Sequence, residues 1–251
     1  MKPNYEFIFK SLSIEMANST KSKVLDFGCG VGEVVEEGVK RGINMYGVDT
    51  FDGYYSDWKD KLPESIVDKV SKIENNRIDF LDNTFDYVIS NQVFEHISDY
   101  VPSMKEIRRV LKSGGVLLTV FPNYEVWYEG HIGLYFPHRF RAHSYMQRKY
   151  LTICYKLGLG RKRHMGIDGW MNILNDVTFH HKVNKINSDI FDIFHGYPED
   201  IIEEFLEYRI SLGRLPLGPL FKMGLMKKIM IFIAKTRAGS TLRVVNKKEG
   251  L

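Results

Sequence analysis

Residues 23–33 read KVLDFGCGVGE, and the way this stretch folds decides the rest of the chain. Val24, Leu25 and Phe27 are the apolar residues of a short strand, glycines follow at 28, 30 and 32, and a helix-period segment comes next. The stretch therefore reads as strand, tight turn and helix. Such a turn holds a ligand. Glycine adopts positive φ without strain and lets a ligand lie against peptide groups, while the first turn of the following helix presents N–H donors. Asp26 sets the sign of that ligand: a carboxylate at the strand end repels a pyrophosphate and attracts a cation, which disfavours a dinucleotide and favours a ligand with a positive end.

At 251 residues, 44% hydrophobic and 13% aromatic, the chain suits one large domain, or one domain with an insertion. Its two cysteines, Cys29 and Cys154, match no metal spacing and no disulfide framework, which points to a reducing compartment. Residues 1–20 lack the continuous apolar core of a signal peptide and no uninterrupted apolar run approaches a membrane span, so the expected location is cytoplasmic. Charge is segregated. From residue 211 onward there are nine Lys and Arg against one acid, Glu249, so the net +4 of the chain divides into +8 there and −4 before it. Residues 130–165 hold eight Lys and Arg, four His and no acid. Segregation of this kind points to anionic partners.

Residues 3–17 read as an amphipathic helix beside the ligand turn, 31–41 as the helix after it with Val34, Val35 and Val39 buried, and 44–48 as strand two. That strand ends at Asp49, one βαβ step beyond Gly32, where a carboxylate accepts hydrogen bonds from both hydroxyls of a ribose, at about 1.5–3 kcal/mol each. A helix starting at Pro63 and strands at 70–73, 85–90 and 116–121 follow, with a helix at 101–111. Ser90, Asn91 and Gln92 fall at the carboxyl end of strand four, where open α/β sheets bind ligands.

The G-x-G-x-G spacing after an acidic strand end resembles motif I of the class I S-adenosylmethionine (SAM) dependent methyltransferases. The F-D pair Phe85-Asp86 opening strand four and the LKSGGVLLTV run at 111–120 are similar to the same family, and the likeness covers residues 20–123. It implies a doubly wound, mostly parallel, Rossmann-like α/β sheet that binds SAM. The methionine end would lie at Asp26, Gly28, Cys29, Gly30 and Gly32, the ribose at Asp49 with Thr50 beside it, Phe51 over the adenine, Glu74 on the adenine amine, and Asn91 near the methyl group. The turn at Ile78, Asp79 and Phe80 departs from the family's Leu-Pro-Phe.

Beyond Pro122 the pattern changes. Residues 123–140, NYEVWYEGHIGLYFPHRF, are aromatic-rich, emerge beside the methyl donor and read as an acceptor lid with Tyr128, Arg139 and Arg141 as acceptor contacts. The segment also resembles a shorter stretch in bacterial methyltransferases acting on glycans and other small molecules. Methylating a hydroxyl requires removal of its proton, and a histidine suits that task; His131 is the first candidate, then His138, then His96. The spacing of His131 and His138 gives no metal site. A helix is expected at 144–157, a basic loop at 158–169, a late strand at 176–183, and an amphipathic helix at 201–212 with Glu203, Glu204 and Glu207 in solvent. The division expected is a SAM-binding core at 1–122, an acceptor insertion at 123–183, and a helical, basic tail at 184–251 whose segment from 219 onward suits peripheral contact with the inner face of a membrane.

The function expected is O-methylation of a small anionic acceptor such as a sugar or glycolipid intermediate. Two alternatives stand beside it: an RNA or other nucleic-acid methyltransferase, disfavoured because Ser90-Asn91-Gln92-Val93 is no target-base motif, and a SAM-binding module without catalysis.

Overall fold

The computed structural model describes residues 3–15, 21–213, 221 and 224–247. Its first half alternates strands and helices: α1 (Pro3–Glu15), β1 (Lys23–Phe27), α2 (Glu33–Lys40), β2 (Asn44–Asp49), β3 (Val70–Lys72), β4 (Phe85–Asn91), α3 (Val101–Val110) and β5 (Leu111–Phe121). Four of the five residues of β1 are buried, because a parallel strand with neighbours on both edges and helices on both faces has no wet side. It pairs in parallel with β2 on one edge and β4 on the other. β3 extends the sheet beyond β2 and β5 beyond β4, so the chain reverses its direction of growth between β1 and β4. The carboxyl ends of those two strands open a crevice at the topological switch point, the place where such sheets bind ligands.

The second half runs through β6 (Tyr128–Glu129) and β7 (Leu134–Tyr135), a separate two-stranded ribbon, then α4 (Tyr145–Lys156), α5 (Gly166–Asn172), α6 (Val183–Phe194), β8 (Glu199–Asp200), α7 (Ile202–Ser211), α8 (Gly224–Ala238) and β9 (Ser240–Val245). β9 pairs antiparallel with β5, and β8 with β9, completing a seven-stranded, mostly parallel sheet. Side-chain alternation divides the core between its faces. Leu25, Phe27, Val88 and Phe121 pack with α3 and α6 residues such as Ile107 and Ile190. Val24, Ile89 and Leu118 pack with α1, α2 and α7. The lid has its own small core around the fully buried Trp170.

Four local expectations change. Residues 176–183 are not a strand: Ile173–Val177 is a π-turn, and Phe179 donates its N–H to Glu95 O and Tyr124 its N–H to His181 O. The backbone groups of that segment are thus satisfied by the site and the lid instead of by a ladder. The strand that closes the sheet comes from Ser240–Val245, within the region expected to be helical. Leu62 is extended (φ −64°, ψ 134°), as a residue before proline prefers, so two 3₁₀ segments, Gly53–Lys61 and Glu64–Lys69, replace the helix expected from Pro63. The acids of α7 are paired: Glu203 and Glu207 with Lys227 of α8, and Glu204 with Arg243 of β9. Residues 214–220, 222–223 and 248–251, part of the basic tail, lie outside the described residues. Among the described residues no helix is long and apolar enough to cross a membrane.

Candidate functional site

β1 ends at Phe27 and the chain turns at once through Gly28, whose φ of +78° strains any residue with a Cβ. A Cβ there would also stand 2.4 Å from Val93, so this glycine lets the segment after β4 pack against the turn. Gly28 and Cys29 donate their N–H groups to Val48 O at 2.8 and 3.1 Å, and Gly30 donates to Asp49 Oδ2 at 2.8 Å. The turn is thereby strapped to the end of β2. Asp49 also accepts from the Phe51 N–H at 3.2 Å, which leaves unused lone-pair sites on a carboxylate that offers about four. Asp26 is buried. Burial, with the Asp49 carboxylate adding to it, pushes its pKa from 3.8 to about 8, so the pair is suited to receive a cation.

A cavity of about 230 Å³ opens at this point. Phe27, Trp58, Ile73, Val93 and Ile97 form its apolar walls, and polar groups including Asp49, Thr50, Asp52, Asn76 and Gln92 line the rest. Apolar walls with a few convergent polar groups are the usual form of a small-molecule site.

Gly28, Asp49 and Thr50 of the expected donor residues line it. Gly30 lies under the Trp58 ring, 2.6 Å from where its Cβ would stand, and Gly32 is the N-cap of α2; both shape the turn. Cys29 belongs to the core, and burial raises its thiol pKa. Phe51 was expected over a base, but its φ of +46° accompanies a ring packed in the core, and Trp58 and Ile73 take the cavity wall. Glu74 is exposed in a backbone bridge with Arg77, and Asn76 lines the cavity in its place. Asn91 accepts from Asn4 Nδ2 at 3.2 Å, tying α1 to β4, while its neighbour Gln92 lines the cavity.

Gln92 joins two chambers. It has φ +59°, a left-handed conformation that costs a non-glycine residue on the order of 1–3 kcal/mol, and its N–H donates to Val120 O at 2.7 Å. It lines the first cavity and also a second of about 680 Å³. Five parts of the fold meet there: Asn4 of α1, Tyr128, Gly130 and His131 of the segment after β5, Arg161 and Lys162 of the basic loop, Arg209 of α7, and Arg237 of α8. The guanidinium groups of Arg161 and Arg237 lie 5.9 and 5.6 Å from the Tyr128 ring centroid. Four cations, Arg161, Lys162, Arg209 and Arg237, line this chamber, with no Asp or Glu among the described lining residues.

The candidate histidines separate. His131 lines the second chamber and holds Nδ1 2.6 Å from Glu129 Oε1. His96 lines the first, its Nδ1 2.9 Å from Val177 O, and burial lowers its pKa. The two rings meet edge to face at 5.3 Å. His138 is elsewhere: it lines a third cavity, stacked on His180 at 4.3 Å. Of the expected acceptor contacts Tyr128 is in the second chamber, whereas Arg139 stacks on Tyr124 in a different cavity and Arg141 is exposed. Sequence reading missed Trp58, Asn76, Glu95, Arg209 and Arg237. Only Glu95 carried a local signal, its adjacency to His96.

Residues 25–119 match the family model described as a methyltransferase domain. An uncharacterized protein of Methanocaldococcus jannaschii is 34% identical over 123 residues, 47% of this chain and 50% of that protein. Demethylmenaquinone methyltransferase of Bacillus mycoides is 32% identical over 107 residues, 39% of this chain and 43% of that one. The chain thus spans half or less of the curated relatives it matches. Phosphoethanolamine N-methyltransferase 2 of Haemonchus contortus, in complex with SAM, shares the fold with a TM-score of 0.51 at 18% identity, over 96% of this chain and 53% of that one.

Proposed function

With residues 25–119 a methyltransferase domain of the class I fold, we propose that the chain binds SAM at Asp49 and methylates an oxygen of a small anionic acceptor held beside His131. The observation that carries this reading is the junction at Gln92 between a nucleoside-type cavity and a chamber lined by four cations. The residues of the first cavity fit SAM. Asp49 keeps acceptor sites for ribose hydroxyls, Trp58, Ile73 and Ile97 offer apolar walls to a base, and Asp26, buried near Asp49 and outside the cavity wall, adds a carboxyl that answers a cationic group.

When bound, SAM supplies a methyl group activated by a sulfonium. The chain's own work is to align the acceptor and to free its oxygen of a proton. Arg161, Lys162, Arg209 and Arg237 bind a phosphate or carboxylate of the acceptor, and the hydroxyl is activated at His131, which Glu129 orients. His138 lines another cavity and His96 lies on the donor side. A sugar or glycolipid intermediate carries both the anionic group and the hydroxyl. In this reading residues 1–122 carry the donor, 123–183 wall the acceptor, and 184–251 add Arg209 and Arg237.

A lipid-linked acceptor is favoured by α8. Ile231, Ala234 and Ala238 pack inward, yet Leu225, Ile229, Phe232 and Ile233 are exposed on the same helix. Trp127 extends this face, its ring 5.6 Å from Phe232, and Lys228 is exposed beside it. An apolar stripe with basic residues seats a helix in an anionic bilayer surface, the inner leaflet for a cytoplasmic protein.

The deciding experiment is incubation of the whole chain with labelled SAM and cell extract, fractionated into lipid, glycan, small-molecule and RNA pools. Label in an acidic lipid, glycan or small-molecule pool is expected. Label in RNA overturns the acceptor, SAM binding with no label in any pool leaves a binding module, and equal affinity for NAD and SAM by calorimetry overturns the reading as a whole.

A further inference from the structure

Glu95 is fully buried, and neither of its carboxylate oxygens has a hydrogen-bond partner among the described residues. A carboxylate in that position is costly unless a cation answers it. His96 and His131 stand next to it, and one ligand atom from each of the three residues lies within 4.8 Å of the others. Both rings already commit Nδ1, His96 to Val177 O at 2.9 Å and His131 to Glu129 Oε1 at 2.6 Å. An Nδ1–H donated to a carbonyl or carboxylate leaves Nε2 as the lone-pair nitrogen, which is the arrangement of metal-ligating histidines. Glu129 is itself held rigidly: it is buried, and it accepts the N–H groups of His131 and Ile132 at 3.2 and 2.9 Å. The chamber at His131 supplies an entry path and room for a further ligand.

We propose that Glu95, His96 and His131 bind one divalent first-row transition-metal ion at the junction of the two cavities, with Glu129 as the residue that positions His131. Two imidazoles and one carboxylate suit Zn²⁺, Co²⁺, Mn²⁺ or Fe²⁺, whereas Mg²⁺ and Ca²⁺ prefer oxygen alone. The inference rests on reading the His131 chamber as the acceptor site and deepens it. A metal there binds the acceptor's oxygen and lowers its pKa, so His131 acts as a ligand in place of a free base. The four surrounding cations remain for the acceptor's anionic group.

The test uses untagged, full-length protein stripped with chelator and dialysed against Co²⁺, Zn²⁺ or Mg²⁺. One equivalent of Co²⁺ or Zn²⁺ is expected, with visible Co²⁺ absorption bands, and no tight Mg²⁺. Glu95→Gln, which keeps the side-chain shape, and His131→Ala, at a partly exposed position, should each weaken Co²⁺ binding at least about tenfold, and Glu129→Gln about tenfold. His143→Ala, which removes a surface histidine paired with Asp176, should bind as the parent does. Circular dichroism melts establish that each variant is folded. Absence of bound Co²⁺ and Zn²⁺, or parental affinity in both Glu95→Gln and His131→Ala, overturns the site. SAM affinity is measured on the metal-free chain: intact SAM binding without metal binding removes this inference alone, whereas loss of SAM binding removes the methyltransferase reading.

Discussion

Asp26 couples stability to pH through a simple linkage. Its folded-state pKa of about 8 stands above the 3.8 of a free carboxyl, so between those values the folded protein retains a proton that the unfolded chain has released. The stabilisation is complete below 3.8 and is lost as pH rises toward 8. Asp26→Asn should flatten that slope, raising the melting temperature above the parent's near pH 8 and leaving it little changed near pH 4. A cation arriving beside Asp26 displaces the proton, so SAM binding at neutral pH should release one, seen as a dependence of the calorimetric enthalpy on the buffer's ionisation enthalpy. Asp49 braces Gly30 as well as facing the cavity. Asp49→Ala should therefore weaken SAM binding at least about tenfold by calorimetry and also lower the melting temperature. On the acceptor side, Arg237→Glu should raise acceptor KM at least about tenfold with SAM affinity unchanged, since loss of a charge-assisted hydrogen bond costs about 1.5–3 kcal/mol.

Helix α8 has two apolar faces, and among the described residues only one packs within the fold. Residues 227, 231, 234 and 238 follow helical spacing toward the core, with Lys227 on the acids of α7, while Leu225, Ile229 and Phe232 form the outer stripe. Because Phe232 is exposed, Phe232→Glu should change stability by no more than about 0.5 kcal/mol. The same substitution should abolish flotation with anionic liposomes, since it places a charge in the bilayer interface. Flotation that survives it, or that is equal on neutral liposomes, would assign the outer stripe to something other than an anionic bilayer.

The molecule is closed from its far end. β9 pairs with the whole upper part of β5, from Val116 to Phe121, and buries Leu242 and Val244 against α3 and α6. Deleting residues 240–251 would expose the backbone of β5 and remove the buried apolar side chains of Leu242 and Val244, worth about 1.5–3 kcal/mol each. Such a truncation should fail to give a cooperative melt, whereas the interaction of α8 with membranes has to be tested by point substitution. The same closure brings Arg237, two residues before the turn at Gly239, to the second chamber.

What could be read along the chain was whatever depends on neighbours in sequence. The strand–turn–helix at 23–33, the carboxylate one βαβ step later, and the order of the first five strands follow from local hydrophobic period and glycine conformation, which is why Gly28, Asp49 and Thr50 line one cavity. The tertiary structure alone decided the rest. Phe51 turned inward because packing competes for a ring that the loop sequence leaves uncommitted, and Trp58 came from a segment without periodic pattern. Arg209, Arg237, Arg161 and Lys162 converge only after the sheet is closed by β9, and no spacing in the sequence encodes that meeting. The same holds for Glu95, His96 and His131: charge and chemistry are properties of residues, but a site is a property of distances, and those are set by burying apolar surface elsewhere in the molecule.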